Sequence, residues 1–154
     1  MRIGLDNSVY VLLFLSMLTG CATPEPVLRE TDSGYAEWTY ADTTPAGIGS
    51  KIEAYCVSKG LFIDSSTEHE ITCSKEVDKG LKGDFTQLLL GNAYSTRPVH
   101  KIRFVLLTQS KHTRVIAYPW LETQMAGGQV RRVETNSSQN RNSLQRFLQS
   151  LGRE

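Results

Sequence analysis

A chain of 154 residues with three cysteines, five prolines and a formal net charge of +1 leaves room for one modest domain and little else. The near-neutral balance argues against a dedicated nucleic-acid binder, because neutralising a phosphate backbone takes a strong basic excess. Cysteine is too sparse for a disulfide-dense scaffold, yet sufficient for one bridge and one free residue.

Met1 and Arg2 give the N-terminus a positive end, partly offset by Asp6, and residues 9–18 (VYVLLFLSML) form an apolar run. A helix of about ten residues rises about 15 Å, half of a ~30 Å hydrocarbon core, so the run reads as a secretory signal rather than a permanent span. Leu18-Thr19-Gly20-Cys21 follows directly. This tetrapeptide resembles the lipobox of bacterial lipoproteins, in which a small residue precedes the cysteine that is lipidated. The resemblance implies cleavage before Cys21, a thioether-linked diacylglycerol on its sulfur and an acylated amino group. One acyl chain anchors only marginally, but several together hold a protein on a membrane without a transmembrane helix. Ala22 stands at the second mature position, where aspartate is associated with inner-membrane retention in enteric bacteria. By that sorting rule the resemblance implies the outer membrane, with the protein facing the periplasm. An ordinary secretory signal, with Cys21 merely its first thiol, is the plainer alternative.

Residues 1–20 are therefore expected to be a lipoprotein signal peptide, 21–34 a lipidated cysteine with a flexible tether, and 35–152 a single domain. The tether expectation rests on polarity, on Pro24 and Pro26, and on the lack of apolar periodicity in 22–34. Residues 35–40 alternate as a short strand, with Ala36, Trp38 and Tyr40 on one side. Thr44 and Pro45 form a helix start, as N-cap and first helical residue. Ile48, Ile52, Tyr55 and Cys56 then recur at helical spacing to Gly60, which supplies the stop. Residues 61–65 and 68–74 read as two strands. Cys56 lies on the helix's apolar face, and Cys73 shares a strand face with Ile71. In an oxidising periplasm the two thiols left after Cys21 are expected to form a disulfide between helix and strand. The rival for them is a free pair or a metal site with Glu68 and His69, whose spacing matches no standard zinc motif.

Residues 78–83 read as a loop, and Asp84 as the cap of a short helix carrying Phe85, Leu88 and Leu89. Residues 99–108 form the clearest strand, with Ile102, Phe104 and Leu106 facing one way and Lys101, Arg103 and Val105 the other. Ser110-Lys111 is a two-residue turn candidate, although it lacks the glycine or asparagine such turns favour. Residues 112–123 return as a strand interrupted by Pro119, which predicts an edge position or a bulge. Gly127-Gly128 turns the chain into a strand over 129–134. A helix over 139–151 carries Leu144, Phe147, Leu148 and Leu151 on one stripe and ends at Gly152.

The order β-α-β-β-(α)-β-β-β-α predicts an α+β fold, a two-layer sandwich of an antiparallel sheet and two main helices. It resembles the helix-grip arrangement, in which a sheet wraps around a C-terminal helix. It is also similar to the domains of the lipoprotein C component of the outer-membrane β-barrel assembly machinery. That similarity is one of element order alone, and it carries no functional residue across.

The chain contains no G-x-S-x-G, P-loop, G-x-G-x-x-G, H-E-x-x-H or C-x-x-C. No catalytic residue, metal or cofactor is expected, and His69, His100 and His112 are scattered. Two sets remain as candidate partner-binding residues. Trp120 and Met125 flank a proline break and a glycine turn, residue types favoured in binding patches, although tryptophan is more often core. Lys101, Arg103, Arg114, Arg131 and Arg132 fall on the last three strands. If those strands pair as a meander, the five residues could form a cationic surface for an envelope protein or an anionic envelope polymer; an ordinary solvated face explains the same charges. The expected function is a non-enzymatic binding or scaffold component of an envelope complex. The alternative is an inhibitor or immunity-type lipoprotein acting on a cell-wall hydrolase through the turn at 125–128.

Overall fold

The computed structural model describes residues 25–77 and 96–153. The apolar run, Cys21 and the short helix read from Asp84 lie outside the described residues. The described elements are β1 (Ala36–Ala41), α1 (Pro45–Ser58), β2 (Phe62–Ser66), β3 (Glu70–Glu76), β4 (Val99–Gln109), β5 (His112–Gln124), β6 (Val130–Glu134) and α2 (Ser138–Leu151). All six strands join one antiparallel sheet in the order β1-β5-β4-β3-β2, with β6 also paired to β5. Both described helices pack on one face, so the fold is the two-layer α+β sandwich that the element order predicts.

Local chemistry sets the helix ends. Thr44 caps α1 by accepting from the Gly47 N–H at 3.2 Å, with Pro45 just inside the helix. Gly60 adopts φ +68° beyond the last turn, a conformation that costs glycine nothing, and the Leu61 N–H returns to the Cys56 carbonyl at 2.9 Å. Ser137 caps α2 by accepting from the Asn140 N–H at 3.3 Å.

The core follows the two periodicities. Phe104 and Leu106 of β4, Val115 and Ala117 of β5, Ile71 of β3 and Ala36 of β1 are all buried on the inner face. Ile48, Ile52, Leu144, Phe147 and Leu148 meet them from the helices. Phe147 joins the layers, stacking on Tyr55 at 3.6 Å between ring centroids and meeting Phe104 edge-on at 5.8 Å. The buried Gly49 faces Ile71, where an added Cβ would make an ordinary van der Waals contact, 3.4 Å from Ile71 Cδ1. Cys56 and Cys73 are joined as a disulfide with Cα atoms 6.3 Å apart, clamping α1 to β3. The thiols are thus spent on each other rather than on a metal.

Two placements differ from what the sequence leads one to expect. Residues 25–34, expected as a free tether, lie fastened to α2. The buried Asn142 accepts from the Leu28 N–H at 2.7 Å and donates to the Pro26 carbonyl at 2.9 Å and to Glu25 Oε1 at 3.2 Å. One residue earlier, Arg141 donates to the Arg29 carbonyl and the Thr31 hydroxyl. Second, β5 is an interior strand despite Pro119. Its far edge is shared by β1, opposite residues 112–117, and β6, opposite 120–124, and Pro119 falls between them. The Pro119 carbonyl accepts from the Thr135 N–H, and a strand residue's N–H and C=O lie on the same side. The donor that proline lacks therefore faces the junction, where no partner strand needs it. The Ser110-Lys111 turn forms where the sequence places it, between Gln109 and His112, and Ser110 takes φ +55°, a left-handed conformation that usually falls to glycine or asparagine.

Reducing the bridge, or replacing Cys56 and Cys73 together by alanine, should lower stability by about 3 kcal/mol on the chain-entropy model, read as a shift in the urea midpoint. Asn142→Ala should cost about 1–3 kcal/mol by stranding the groups it satisfies. It should also speed hydrogen exchange at the Leu28 amide specifically, while amides of β4 stay protected.

Candidate functional site

Strand alternation sends one set of side chains away from the helices, and on this outer face polar and aromatic groups converge. Arg114, Tyr118, Trp120 and Glu122 share one parity of β5. The register places Arg103 opposite Tyr118, Lys101 opposite Trp120, Glu134 opposite Trp120 on the other side, and Arg132 opposite Glu122. Tyr35, just ahead of β1, falls in line with them.

The result is a cleft of about 280 Å³ over the β1–β6 junction, lined by Tyr35, Arg103, Tyr118, Pro119, Trp120, Arg132 and Glu134. The Tyr35 and Tyr118 rings meet at 4.5 Å in a tilted contact. The Arg103 guanidinium stands over Tyr118 at 5.3 Å and that of Arg132 over Trp120 at 5.6 Å, so each wall pairs an aromatic plane with a cation. The Tyr35 hydroxyl donates to Glu134 Oε2 at 2.9 Å, which links the two strand ends across the junction. Asn136 reinforces that link by donating to the Gly34 carbonyl at 3.0 Å. The Tyr35 phenol is pushed above its ordinary range, first by this hydrogen bond to a carboxylate and then by burial.

Beside the cleft, Glu122 gathers three donors. Lys101 Nζ lies 3.1 Å from one oxygen, and the other accepts from Arg132 Nε at 2.7 Å and Trp120 Nε1 at 3.2 Å. Burial alone would raise the Glu122 carboxyl, but Lys101, Trp120 and Arg132 outweigh it and hold the group below the usual carboxylate range. Lys101 also reaches Asp64 at 3.2 Å, a residue aimed there by the register shift in β2. Arg114 pairs with Glu37 at 2.7 Å. Arg103 is exposed, lines the cleft against the Tyr118 ring and makes no ion pair among the described residues.

Of the sequence candidates, Lys101, Arg103, Arg114, Arg132 and Trp120 come together on this face. Arg131 does not, because its partner Thr123 is an inward-facing residue and the period of two puts Arg131 on the same side. Met125 starts the β5–β6 turn, where its backbone bonds to Gln129 and Gly128, and it does not line the cleft. The cationic surface expected from the sequence is a mixed one, since Glu37, Asp64, Glu122 and Glu134 interleave with the four cations. Tyr35, Tyr118 and Glu134 escaped the sequence reading. Tyr118 was recoverable from its parity with Trp120, whereas Tyr35 and Glu134 meet only through the end-to-end arrangement of β6 and β1.

Chemically the cleft offers two stacking planes, a guanidinium and a carboxylate rim. Such a set holds a planar or apolar group against the rings while Arg103 donates to an anionic oxygen. Among the described residues no three His, Cys, Asp or Glu side chains gather as metal ligands.

Glu122→Gln should lower stability at pH 7 by about 1–2 kcal/mol, because three donors lose their charged acceptor. The depressed carboxyl contributes stability that is fully present above the unfolded value of about 4.3 and is lost as pH falls through the lower folded value. The wild type should therefore lose stability more steeply than Glu122→Gln below about pH 4.3, read by urea titration at several pH values. Compared with known proteins, the chain matches no family model, no curated protein and no solved structure.

Proposed function

We propose that this protein is a lipid-anchored lipoprotein of the outer membrane, facing the periplasm, that binds another component of the cell envelope through the outer face of its sheet. The observation that carries the binding reading is the cleft itself, with its exposed Arg103, which makes no ion pair among the described residues, standing beside the Tyr35, Tyr118 and Trp120 rings. Tryptophan, tyrosine and arginine are the residues that most often dominate binding energy when they cluster in a concave patch. The anchoring reading rests on Leu18-Thr19-Gly20-Cys21 at the end of the apolar run.

The charge balance of the face selects between the two classes of partner. A polyanion is drawn by a positive field, and here the four cations stand among six carboxylates, Glu70 and Glu76 of β3 included. A folded envelope protein can match alternating charges one by one and set an acidic or C-terminal carboxylate on Arg103. The partner is therefore an envelope protein presenting an acidic group beside an apolar or aromatic one. The protein acts as a binding or scaffold component rather than as an enzyme.

Purification from cross-linked membranes should recover one abundant envelope protein with the wild type. Trp120→Ala and Arg103→Glu should each weaken its capture about tenfold or more, with urea midpoints that show both variants folded. Undiminished capture by both variants would refute the cleft as the binding surface. Cys21→Ser should leave the membrane fraction or accumulate with its signal attached, and full retention of a processed Cys21→Ser protein would refute lipid anchoring.

A further inference from the structure

On the opposite side of the molecule, α1 and α2 leave between them an open groove of about 670 Å³. Its floor is apolar, made by the stacked Tyr55 and Phe147 rings and by Leu151. Its walls carry Lys51, Lys59 and Arg146, and no carboxylate is among its described lining residues. Lys51 donates to the Leu151 carbonyl at 3.1 Å, which holds its ammonium at the mouth, and Lys59 stands over Tyr55 at 5.7 Å.

The charge of this layer departs from that of the whole chain. Residues 45–59 and 138–153 contain five lysines and arginines and one acid, a balance of +4, which the strap over residues 25–34, with Arg29 against Glu25, Glu30 and Asp32, lowers to +2 in a protein whose total is +1. The single acid, Glu53, is turned toward β2, where it accepts from the Ser66 hydroxyl. The sheet's outer face carries more acids than bases, so the positive excess belongs to the helical side.

The path of the N-terminal segment ties this groove to the anchor. Glu25 lies 3.6 Å from the Arg146 guanidinium and is bonded to Asn142, so the segment leaves the domain beside the groove. Cys21 precedes Glu25 by four residues, and four residues reach at most about 14 Å. A domain tied at Glu25 to an acylated Cys21 thus has its helical side held against the headgroups. So short a tie lets the groove's cations come within the Debye length of about 8–10 Å, inside which an anionic surface attracts them. The tie also keeps the groove at a high local concentration of lipid.

The geometry points to the α1–α2 groove as a seat for the headgroups of anionic phospholipids in the leaflet that holds the anchor. Phosphate oxygens meet Lys51 and Lys59, with Arg146 beside them paired to Glu25, while glycerol and upper acyl carbons cover the Tyr55–Phe147 floor. This seat orients the aromatic cleft away from the membrane, toward partners in the periplasm. The inference rests on the lipid anchor proposed above.

The test uses full-length protein extracted from membranes and reconstituted with vesicles of phosphatidylcholine alone or of phosphatidylcholine and phosphatidylglycerol in equal amounts. Flotation reports anchoring, and acylation by an uncharged amine reagent, read by mass spectrometry, reports each lysine. Lys51 and Lys59 should react at least about threefold more slowly on the mixed vesicles than on the neutral ones, and the difference should vanish in high salt. Lys111, in the β4–β5 turn, should react alike on both. Lys59→Glu should return Lys51 to its rate on neutral vesicles. Equal lysine rates in protein that floats with both vesicles overturn the seat and leave the anchor standing. Flotation with mixed vesicles alone keeps the seat and overturns the anchor, and flotation with neither overturns both.

Discussion

Pro119 sits in the middle of the longest strand of an antiparallel sheet and cannot give the hydrogen bond that position normally gives. The sheet accommodates this by ending one partner and starting another at that point. β6 runs out at Glu134 opposite Trp120, β1 starts at Ala36 opposite Ala117, and the residues between them have no strand on that side. A continuous partner there would leave a buried carbonyl unmatched, at a cost of about 1–3 kcal/mol. The interruption instead leaves a recess, which Tyr35 and Glu134 border from the two strand ends. One missing donor thus sets the edge topology and the site together.

The outer face above that junction could have been a plain solvated surface. It differs in how its charges are held. Glu122 receives Lys101, Arg132 and the Trp120 indole at once, so the ring, the lysine and the arginine keep fixed relative positions. An isolated surface ion pair contributes little, but several donors converging on one half-buried carboxylate restrain one another's rotamers. Preorganisation of this kind reduces the entropy lost on binding. Arg103, facing Tyr118 and with no carboxylate partner among the described residues, is the cation that Glu122 does not hold.

The regular elements were legible in the sequence because each obeys one strong period. Thr44-Pro45 and Gly60 bracket α1, the alternation through 99–108 separates Phe104 and Leu106 from Lys101 and Arg103, and the α2 stripe carries Leu144, Phe147 and Leu148. The Cys56–Cys73 bridge could be read as well, since the helical and strand periods turn both residues inward. Two features were hidden for physical reasons. The order of residues 25–34 comes from Asn142, Arg141 and Arg146, partners more than a hundred positions away, and neither segment's composition announces the other. The cleft was hidden because Tyr35 and Glu134 stand a hundred residues apart and meet only when β6 and β1 abut. Pro119 did carry the signal, since a proline in a strong strand pattern marks a place where the partner changes.

Buried amides of α2 explain how these distant pieces stay in register. Gln145, almost fully buried, donates to the Glu37 carbonyl at 2.9 Å and accepts from the Glu37 N–H at 3.1 Å, closing both backbone groups on the free edge of β1. The same Glu37 sends its carboxylate across the sheet to Arg114. One turn earlier on α2, Asn142 treats residues 25–28 in the same way. A leucine at either position would suit the α2 stripe equally well as hydrophobic surface, but it would leave strand-edge or strap amides unmatched in the interior. The two amides therefore fix which backbone α2 docks on, where leucines would fix only that it docks. Because β1 and the strap are both set by α2, the position of Tyr35 between them is set as well, and with it one wall of the cleft.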